Sequence, residues 1–508
     1  MKLPFVIIIA VTIFVILIPA LFNKIPKKDG YNLIVISATN LRQDHMSLYD
    51  YKRNTTPNID KFAKSAFVFE NFFSHASRTV PAGLSLFTSQ YPYTHTVWDW
   101  SKMEGLDPKT KTFTETLKEH GYKTAAFTGG GQYEGWFGFD RGFDTYVHNK
   151  GQYVGFASNL NDALNWLENN KEDKFFLFFQ GFDTHCPYFP PQPYDAMFDP
   201  DYKNENNIDY SVCYWSYTDT KPVIQKGEKK FPLRKVIKWG GTIVGNSKDD
   251  WKEELFSEQD VEHLLALYDG SITYADYQAG KVLDKIEDLG LTKNTIVVIL
   301  SEHGDLFGKN GRFMRGGHLS GTFYDDVLHV PLIIKVPEVK QGNKINGLAQ
   351  MIDVAPTILA LLGIEKDKEM EGKSLSSMME GGKEINKYVY AGVEDYRQKG
   401  IRIPFHGTTQ VDVIRNKDWK LIKETLTDYD THITTEKYEL YNIRDDPKEL
   451  NNVYSTKPLI ANDLKTKLEA WVLEKKKSTN QYEKITPPQQ DDEAQKRLIE
   501  EGRKRGYY

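Results

Sequence analysis

Thr79 is the residue of this sequence whose neighbours most clearly place it where chemistry could occur. It stands in "SRTVPAGLSLFTSQYPYTHTV", where Pro81 has the φ angle of a first helical turn and apolar residues continue the helical pattern. The backbone N–H groups and the dipole at a helix N-terminus favour a bound anion. The Thr79 hydroxyl is therefore either a helix N-cap or a nucleophile that attacks such an anion.

Four apolar runs elsewhere in the chain have the composition of buried strands. They end in the polar or glycine-rich segments "SATN", "GGG", "FDTH" and "SEHGD". Continuous apolar runs are typical of parallel strands. Because helical patterns alternate with these runs, we predict an α/β fold, with a mainly parallel sheet flanked by helices on both faces. Sites in such sheets lie beyond the carboxyl ends of the strands, so we expect the four segments to form one site.

The chain divides into a large domain and a smaller one. We assign residues 31–385 to the α/β domain, with a Tyr-, Trp- and Lys-rich insertion near 201–254 that is either a substrate-selecting lid or a packed surface hairpin. Residues 386–480 contain short alternating strands and a helix, which predict a small C-terminal antiparallel subdomain. Residues 481–508 form a charged tail.

Composition and charge exclude some classes of partner. The 508 residues carry a net charge of -5 and no basic stripe, which argues against a nucleic-acid partner. The spacing of the two cysteines, Cys186 and Cys213, fits no zinc site. The sequence leaves open whether they pair or remain two core thiols.

The N-terminus has the pattern of a membrane anchor. Residues 1–22 are almost wholly apolar, and such a run can cross a hydrocarbon core of about 30 Å. Bulky and charged residues follow, including the basic spacer 23–30, so no signal-peptidase site is evident. We therefore predict a membrane-anchored protein whose body faces away from the cytoplasm. It would be secreted if the segment were cleaved.

Motifs along most of the chain occur in the order of one known family. The longest is "NLRQDHMSLYDYKRNTTPNIDKFAKSAFVFENFFSHASRTVPAGLSLFTSQYPYTH", and "GFDRGFDTY", "FDTHCPYFPPQPYDAMFDPDY", "FYDDVLHVPLIIKVP", "MIDVAPTILALLGI" and "YELYNIRDDPKELNN" follow it. From about Tyr31 to its end, the chain resembles the sulfatase family of the alkaline phosphatase superfamily. The resemblance implies an alkaline phosphatase-like fold and the hydrolysis of sulfuric or phosphoric esters.

The resemblance places Thr79 at the position of the nucleophile. In sulfatases that nucleophile is a formylglycine made from Cys or Ser in a Cys/Ser-x-Pro-x-Arg motif, whereas related phosphoesterases use an unmodified Ser or Thr. Threonine cannot become formylglycine, because its extra methyl group would leave a ketone. The arginine of the motif is replaced by Gly83. We therefore expect no formylglycine and no formylglycine mechanism.

The family's metal ligands correspond to Thr39, Asn40, Glu302 and His303. In the family, acidic residues occupy the first two places, and an Asp-His or Asp-Asn pair occupies the last two. The implied cofactor is a divalent cation, Ca²⁺ or Mg²⁺, and such a cation prefers several anionic oxygens. This set offers one carboxylate, so we expect weak or absent metal binding.

Two histidines correspond to family residues that contact the substrate. His185 matches the histidine beside the ester oxygen, and His318 lies near the residue that polarises the leaving group. With Thr79 they form the predicted catalytic set. Gln132 stands where the family has a lysine.

Four further residues are assigned supporting roles. Arg42 and Asp44 match an "LRxDH" motif that we interpret as architectural, and His95 fits a position behind the catalytic residues. Arg78 precedes Thr79 and is a candidate for replacing lost positive charge.

Three functions therefore follow from the sequence. The first is a sulfatase-like hydrolase with a threonine nucleophile, few metal ligands and weak or lost activity. The second is a non-catalytic protein of the same fold that binds anionic glycans or lipid headgroups. The third is a phosphoryl-group transferase of the cell envelope.

Overall fold

The computed structural model describes residues 30–98, 105–149, 153–215, 223–225, 228–235, 253–309, 312–313, 322–397 and 406–479. The predicted anchor, residues 23–29 of the basic spacer and the charged tail lie outside these ranges. Within these ranges, no helix combines the length and the apolar character needed to span a bilayer.

The described ranges contain the following strands: β1 (Asn32–Ala38), β2 (Phe67–Phe73), β3 (Lys123–Thr128), β4 (Thr145–His148), β5 (Phe175–Gly181), β6 (Tyr214–Trp215), β7 (Val223–Gln225), β8 (Glu228–Lys235), β9 (Glu253–Ser257), β10 (Thr295–Leu300), β11 (Phe307–Lys309), β12 (Arg312–Phe313), β13 (Leu332–Lys335), β14 (Lys344–Gln350), β15 (Val389–Arg397), β16 (Gly407–Arg415), β17 (Trp419–Asp428) and β18 (Ile433–Asn442). The α-helices are α1 (Pro57–Ala63), α2 (Thr79–Thr88), α3 (Pro92–His95), α4 (Phe113–Glu119), α5 (Leu160–Asn169), α6 (Glu258–Asp288), α7 (Asp325–Leu328), α8 (Val354–Leu361), α9 (Ser376–Met379) and α10 (Pro458–Thr479).

The central sheet has the order β14-β2-β13-β10-β1-β5-β3-β4 among the described strands. Its middle strand β1 pairs in parallel with both β10 and β5, so their carboxyl ends meet at one edge. Only β13 runs antiparallel to its neighbours, β10 and β2. The predicted mainly parallel α/β fold is therefore confirmed, whereas β4 and β14 are strands that the sequence pattern did not indicate.

Both faces of the sheet are covered, as predicted. Leu33 and Val35 of β1 join a core that contains residues of α2, α4 and α8. Ile34 and Ile36 point to the opposite core, which contains residues of α1, α5 and α6. Alternate side chains of a strand face opposite sides, so one continuous apolar run supplies both cores.

Helix α6 is the longest element of the second face. It begins with a capping box in which Ser257 Oγ accepts from the Asp260 N–H, while the Asp260 carboxylate accepts from the Ser257 N–H. Further along, Tyr268 is fully buried and its hydroxyl donates to the carbonyl of Asn40 at 2.7 Å. The helix thereby holds the loop that follows β1.

The C-terminal part forms the predicted antiparallel subdomain, with the strand order β15-β16-β17-β18. Helix α10 packs against this sheet through residues such as Leu464, Leu468 and Trp471. The boundary at 385/386 stays a prediction, and the first strand of the subdomain begins at Val389.

The insertion contains a small antiparallel sheet of β6, β7, β8 and β9. A disulfide between Cys186 and Cys213 ties its first residues to the loop after β5, with the two Cα atoms 5.4 Å apart. The pairing that the sequence left open is thus settled in favour of a disulfide. A role as a lid stays a prediction.

A buried ion network joins the two domains. Lys420, on β17, is fully buried and its Nζ lies 2.7 Å from both the Asp325 and the Glu449 carboxylates. Arg415 binds Asp325 at 3.0 Å, and Lys309 binds Glu449 at 2.9 Å. Burial alone would raise the pKa of Asp325, but the charges of Arg415 and Lys420 outweigh it and hold that pKa below its ordinary value.

Replacing Lys420 by methionine should destabilise the fold strongly. Two buried carboxylates would lose their shared cation, and breaking a buried pair costs about 3–5 kcal/mol. The measurement is the free energy of unfolding from urea titration. The control is Lys423→Met, because Lys423 pairs with the partly exposed Glu436 and Glu469, and such pairs contribute about 1 kcal/mol or less. Equal losses in the two variants would contradict the inferred role of the network.

Candidate active site

Thr79 is the first residue of α2, and its hydroxyl contacts a histidine from the other side of the site. The preceding residue, Arg78, is half-buried and has an extended backbone, and it takes the N-cap position. Thr79 Oγ1 lies 3.0 Å from His303 Nε2, and both residues are buried. The N-cap interpretation of Thr79 is therefore wrong, because this hydroxyl is directed to an imidazole rather than to the helix backbone.

The second nitrogen of His303 determines which atom donates in this pair. His303 Nδ1 lies 3.0 Å from the carbonyl oxygen of Gly304, which can only accept a hydrogen bond. In the neutral ring the proton is therefore on Nδ1, and Nε2 is an acceptor. The Thr79 hydroxyl donates to it, which is the arrangement of a nucleophile and its general base.

The four predicted metal ligands lie in the loops after β1 and β10, where the sequence placed them. Each is engaged by a different partner. Thr39 Oγ1 accepts from Gln180 at 2.8 Å, Asn40 Nδ2 donates to Asp305 at 2.7 Å, Glu302 accepts from Ser37 at 3.2 Å, and His303 accepts from Thr79 at 3.0 Å. Each of the four residues therefore has at least one polar atom bound by another side chain of the protein.

Asp305 is a site residue that sequence reasoning missed. Its carboxylate is fully buried and accepts from Asn40 Nδ2 at 2.7 Å, from the Tyr188 hydroxyl at 2.8 Å and from the Leu306 N–H at 2.9 Å. Its carbonyl accepts from Arg42 at 3.1 Å. The available signal was its position at the end of "SEHGD", but nothing in the sequence distinguishes it from a surface aspartate.

Of the two histidines predicted to contact the substrate, one lies within the described residues. His185 is buried on the loop after β5, and its Nδ1 donates to the carbonyl of Cys186 at 2.6 Å, while Tyr153 lies against the ring at 5.1 Å. The disulfide to Cys213 begins at the next residue and restrains this loop. His318 lies outside the described residues, and its role stays a prediction.

Arg42 is surrounded by acidic and backbone partners. Its guanidinium contacts Asp44 and Asp326, both at 2.7 Å, in addition to the Asp305 carbonyl. These contacts hold the loop after β1 against the segment before β13. They agree with the architectural interpretation of Arg42 and Asp44.

His95 supports the first turn of α2 from behind. Its Nδ1 accepts from the Val97 N–H at 3.2 Å, so Nε2 carries the proton and donates to the Pro81 carbonyl at 3.2 Å. Burial lowers the pKa of His95 to about 3 and keeps the ring neutral. It therefore braces the helix that carries Thr79.

Aromatic rings occupy the space beside Gly83. A Cβ atom at this position would lie 3.0 Å from the Phe139 ring and 3.5 Å from the Tyr133 hydroxyl. Phe139 and Tyr133 are both buried and pack against each other at 4.7 Å. A side chain as large as arginine does not fit there, which explains the replacement in physical terms. Gln132, in the place of the family lysine, is half-buried.

Comparison with known proteins identifies the family. The model of the family "Sulfatase" matches residues 31–364, and the model "N-sulphoglucosamine sulphohydrolase, C-terminal" matches residues 320–477. An N-acetylglucosamine-6-O-sulfatase of Bacteroides thetaiotaomicron is 24% identical over 482 residues, which cover 83% of this chain and 82% of that protein.

Solved structures share the fold. One, described as a complex with its substrate D-glucosamine-2-N,6-O-disulfate, has a TM-score of 0.65 at 19% identity and covers 91% of this chain and 100% of its own. The phosphonate monoester hydrolase of Agrobacterium radiobacter has a TM-score of 0.64 at 18% identity and covers 88% and 96%.

The chain belongs to the sulfatase family of the alkaline phosphatase superfamily, a family of sulfate ester hydrolases. Its members generally use a divalent metal and formylglycine. Thr79 cannot become formylglycine, and of the four predicted metal positions only Glu302 supplies a carboxylate, whereas Ca²⁺ or Mg²⁺ prefers several. Among the described residues, no three His, Cys, Asp or Glu side chains form a set that could hold a metal ion. In addition, the direct hydrogen bond between Thr79 and His303 joins the nucleophile position to a histidine that the family would use for the cation.

Replacing Gly83 by alanine should destabilise the protein although alanine favours helices. The new Cβ would press on the buried Phe139 ring, and overpacking costs about 1–3 kcal/mol, more than the gain in helix propensity of about 1 kcal/mol. The free energy of unfolding should fall in Gly83→Ala, and the loss should shrink when Phe139→Leu makes room in the double variant. A more stable Gly83→Ala protein would show that the site has space for a side chain.

Proposed function

We propose that this protein hydrolyses a sulfate or phosphate ester of an anionic glycan, slowly, with Thr79 as nucleophile and His303 as its general base. The observation that carries the proposal is the 3.0 Å contact between Thr79 Oγ1 and His303 Nε2, with Nδ1 fixed by a carbonyl. The position of Thr79 at the N-terminus of α2 supports binding of the anionic group, since the first backbone N–H groups of a helix have no partner within the helix.

The reaction would proceed in two displacements. First, the Thr79 hydroxyl gives its proton to His303 Nε2 while Oγ1 bonds to sulfur or phosphorus, and the ester oxygen leaves with the electron pair and takes a proton from solvent. Once His303 has returned its proton to solvent, it removes a proton from a water molecule. The resulting hydroxide attacks the sulfur or phosphorus, and the bond to Oγ1 breaks with its electron pair on Oγ1. His303 Nε2, 3.0 Å away, gives that proton to Oγ1, so Thr79 is released as a hydroxyl.

The rate should be low for an electrostatic reason. In a metal-containing site the cation neutralises charge that develops in the transition state, which is worth several kcal/mol. Here the positions of the family arginine and the family lysine are occupied by Gly83 and Gln132, which carry no charge. The polar first turn of α2 supplies only partial charge.

The substrate class is proposed from the relatives. One relative is named an N-acetylglucosamine-6-O-sulfatase, and one structure of the same fold is described with a glucosamine disulfate as its substrate. Sulfated glucosamine units are therefore the first substrates to test, with phosphate esters beside them.

A second candidate function is the non-catalytic binding of an anionic glycan. The observation that favours it is that Thr79 is only 2% exposed and that the four metal positions have protein partners. This protein would bind the same sulfated sugars without turnover.

Hydrolysis of 4-nitrophenyl sulfate, 4-nitrophenyl phosphate and N-acetylglucosamine 6-sulfate by the purified protein tests the proposal. We expect slow turnover that EDTA leaves unchanged and that Thr79→Val and His303→Gln each lower at least 100-fold, since general-base catalysis contributes about 10²–10⁴-fold. The matched control is Thr114→Val, which removes another buried threonine hydroxyl, one that has no hydrogen-bond partner within the described part of the chain.

The other outcomes distinguish the alternatives. Turnover that survives in Thr79→Val would refute the assignment of the nucleophile. Turnover that EDTA abolishes and Ca²⁺ restores would refute a metal-free site. Binding of the sulfated sugar without turnover would support the second candidate.

We propose further that the folded body lies outside the cytoplasm. The disulfide supports this, because disulfides persist mainly in oxidising compartments. In protein whose thiols are blocked by an alkylating reagent at lysis, Cys186 and Cys213 should react only after reduction, as read by mass spectrometry. Two alkylated cysteines before reduction would contradict the proposal.

A further inference from the structure

A cleft of about 230 Å³ lies where the α/β domain meets the C-terminal subdomain. Tyr91, one of its lining residues, comes three positions after Thr88, the last residue of α2. Thr79 begins that helix, whose ten residues span about 15 Å. The cleft therefore lies beyond the opposite end of α2 and is separate from the candidate active site.

One wall of the cleft is aromatic. Tyr388 and Tyr390 line it with their ring centroids 6.3 Å apart. Trp471 stacks on Tyr390 at 4.7 Å and an angle of 9°, which covers one face of that ring and fixes its orientation. Half-buried tyrosine rings offer flat apolar surface beside polar hydroxyls. The C–H face of a pyranose ring matches such a wall.

The floor of the cleft is polar and held in place. Asp353 is buried, and its carboxylate accepts from the Asn386 side-chain amide at 2.6 Å and from the Gln350 N–H at 3.0 Å. The Tyr91 hydroxyl donates to Gln350 Oε1 at 3.0 Å. A floor fixed in this way needs little ordering when a ligand binds.

The rim carries positive charge. Lys373 and Lys387 line the cleft and are both exposed. Glu371 also lines it, but its carboxylate is bound by Lys475 Nζ at 2.7 Å and by the Tyr91 N–H at 2.8 Å. Asp353 accepts from the Lys373 backbone N–H at 2.8 Å. Lys387 Nζ lies 5.5 Å from the centre of the Tyr388 ring. Two ammonium groups next to an aromatic wall favour a ring that bears an anionic substituent.

We propose that this cleft binds one sulfated pyranose unit of a glycan, independently of the Thr79 site. The tyrosine wall packs against the sugar ring, and Lys373 and Lys387 attract its sulfate. The volume is below the roughly 300–1,000 Å³ typical of pockets for drug-sized ligands, which suits a single ring.

Calorimetric titration of the full chain with N-acetylglucosamine 6-sulfate tests this site. The measurements use the Thr79→Ala background, so that hydrolysis does not contribute and a failure of the proposed function cannot be confused with a failure of this inference. We expect Lys387→Glu and Tyr388→Ala each to weaken binding at one site by about fivefold or more. N-Acetylglucosamine without sulfate should bind more weakly there.

Tyr429→Ala is the matched control, because Tyr429 is a 41% exposed tyrosine near the tip of the β17–β18 hairpin. It should bind the sulfated sugar as the unsubstituted protein does. Because Lys387 is exposed, Lys387→Glu should fold even if Tyr388→Ala does not. Binding that is unchanged in Lys387→Glu, or equal for the sulfated and unsulfated sugars, would overturn the proposal.

Discussion

The burial of the Asp305 carboxylate is the constraint that organises the site end of the sheet. A fully buried charge is tolerated only when hydrogen bonds replace the water it has lost. Asn40 supplies one from the loop after β1, Tyr188 supplies one from the loop after β5, and Leu306 supplies one from the backbone next to Asp305. Three loops that are distant in sequence are thereby drawn to one point. Thr79 contacts His303, which lies two residues before Asp305 on the loop after β10.

Hydrogen bonds are the contacts that the structure shows between the loops of the candidate site. In a metal centre the loops are held by their shared cation, whereas here hydrogen bonds between neutral and charged side chains hold them. The aromatic pair of Tyr133 and Phe139 fills the space beside α2. A hydrogen-bonding amide at Asn40 and packed aromatic rings beside Gly83 thus take the places of charged side chains of the family.

The sequence predicted the elements of the fold better than the contacts within the site. The runs that became β1 and β10, and the helix after Thr79, are local patterns of apolar residues, and the structure confirms them. The partners of Asn40 and Thr79 lie 265 and 224 residues away, so no local pattern could reveal them. Composition also does not reveal that β13 is antiparallel to its neighbours, because strand direction depends on the connection.

At Asn40, a single atom decides whether the loops after β1 and β10 need a counter-ion between them. Its amide nitrogen lies 2.7 Å from Asp305, and the aspartate that the family has here would differ only by an oxygen in that place. Two carboxylates at that distance repel each other unless a counter-ion or a proton separates them. The Asn40 amide instead donates a hydrogen bond to Asp305, so the two loops can pack together without a counter-ion between these side chains.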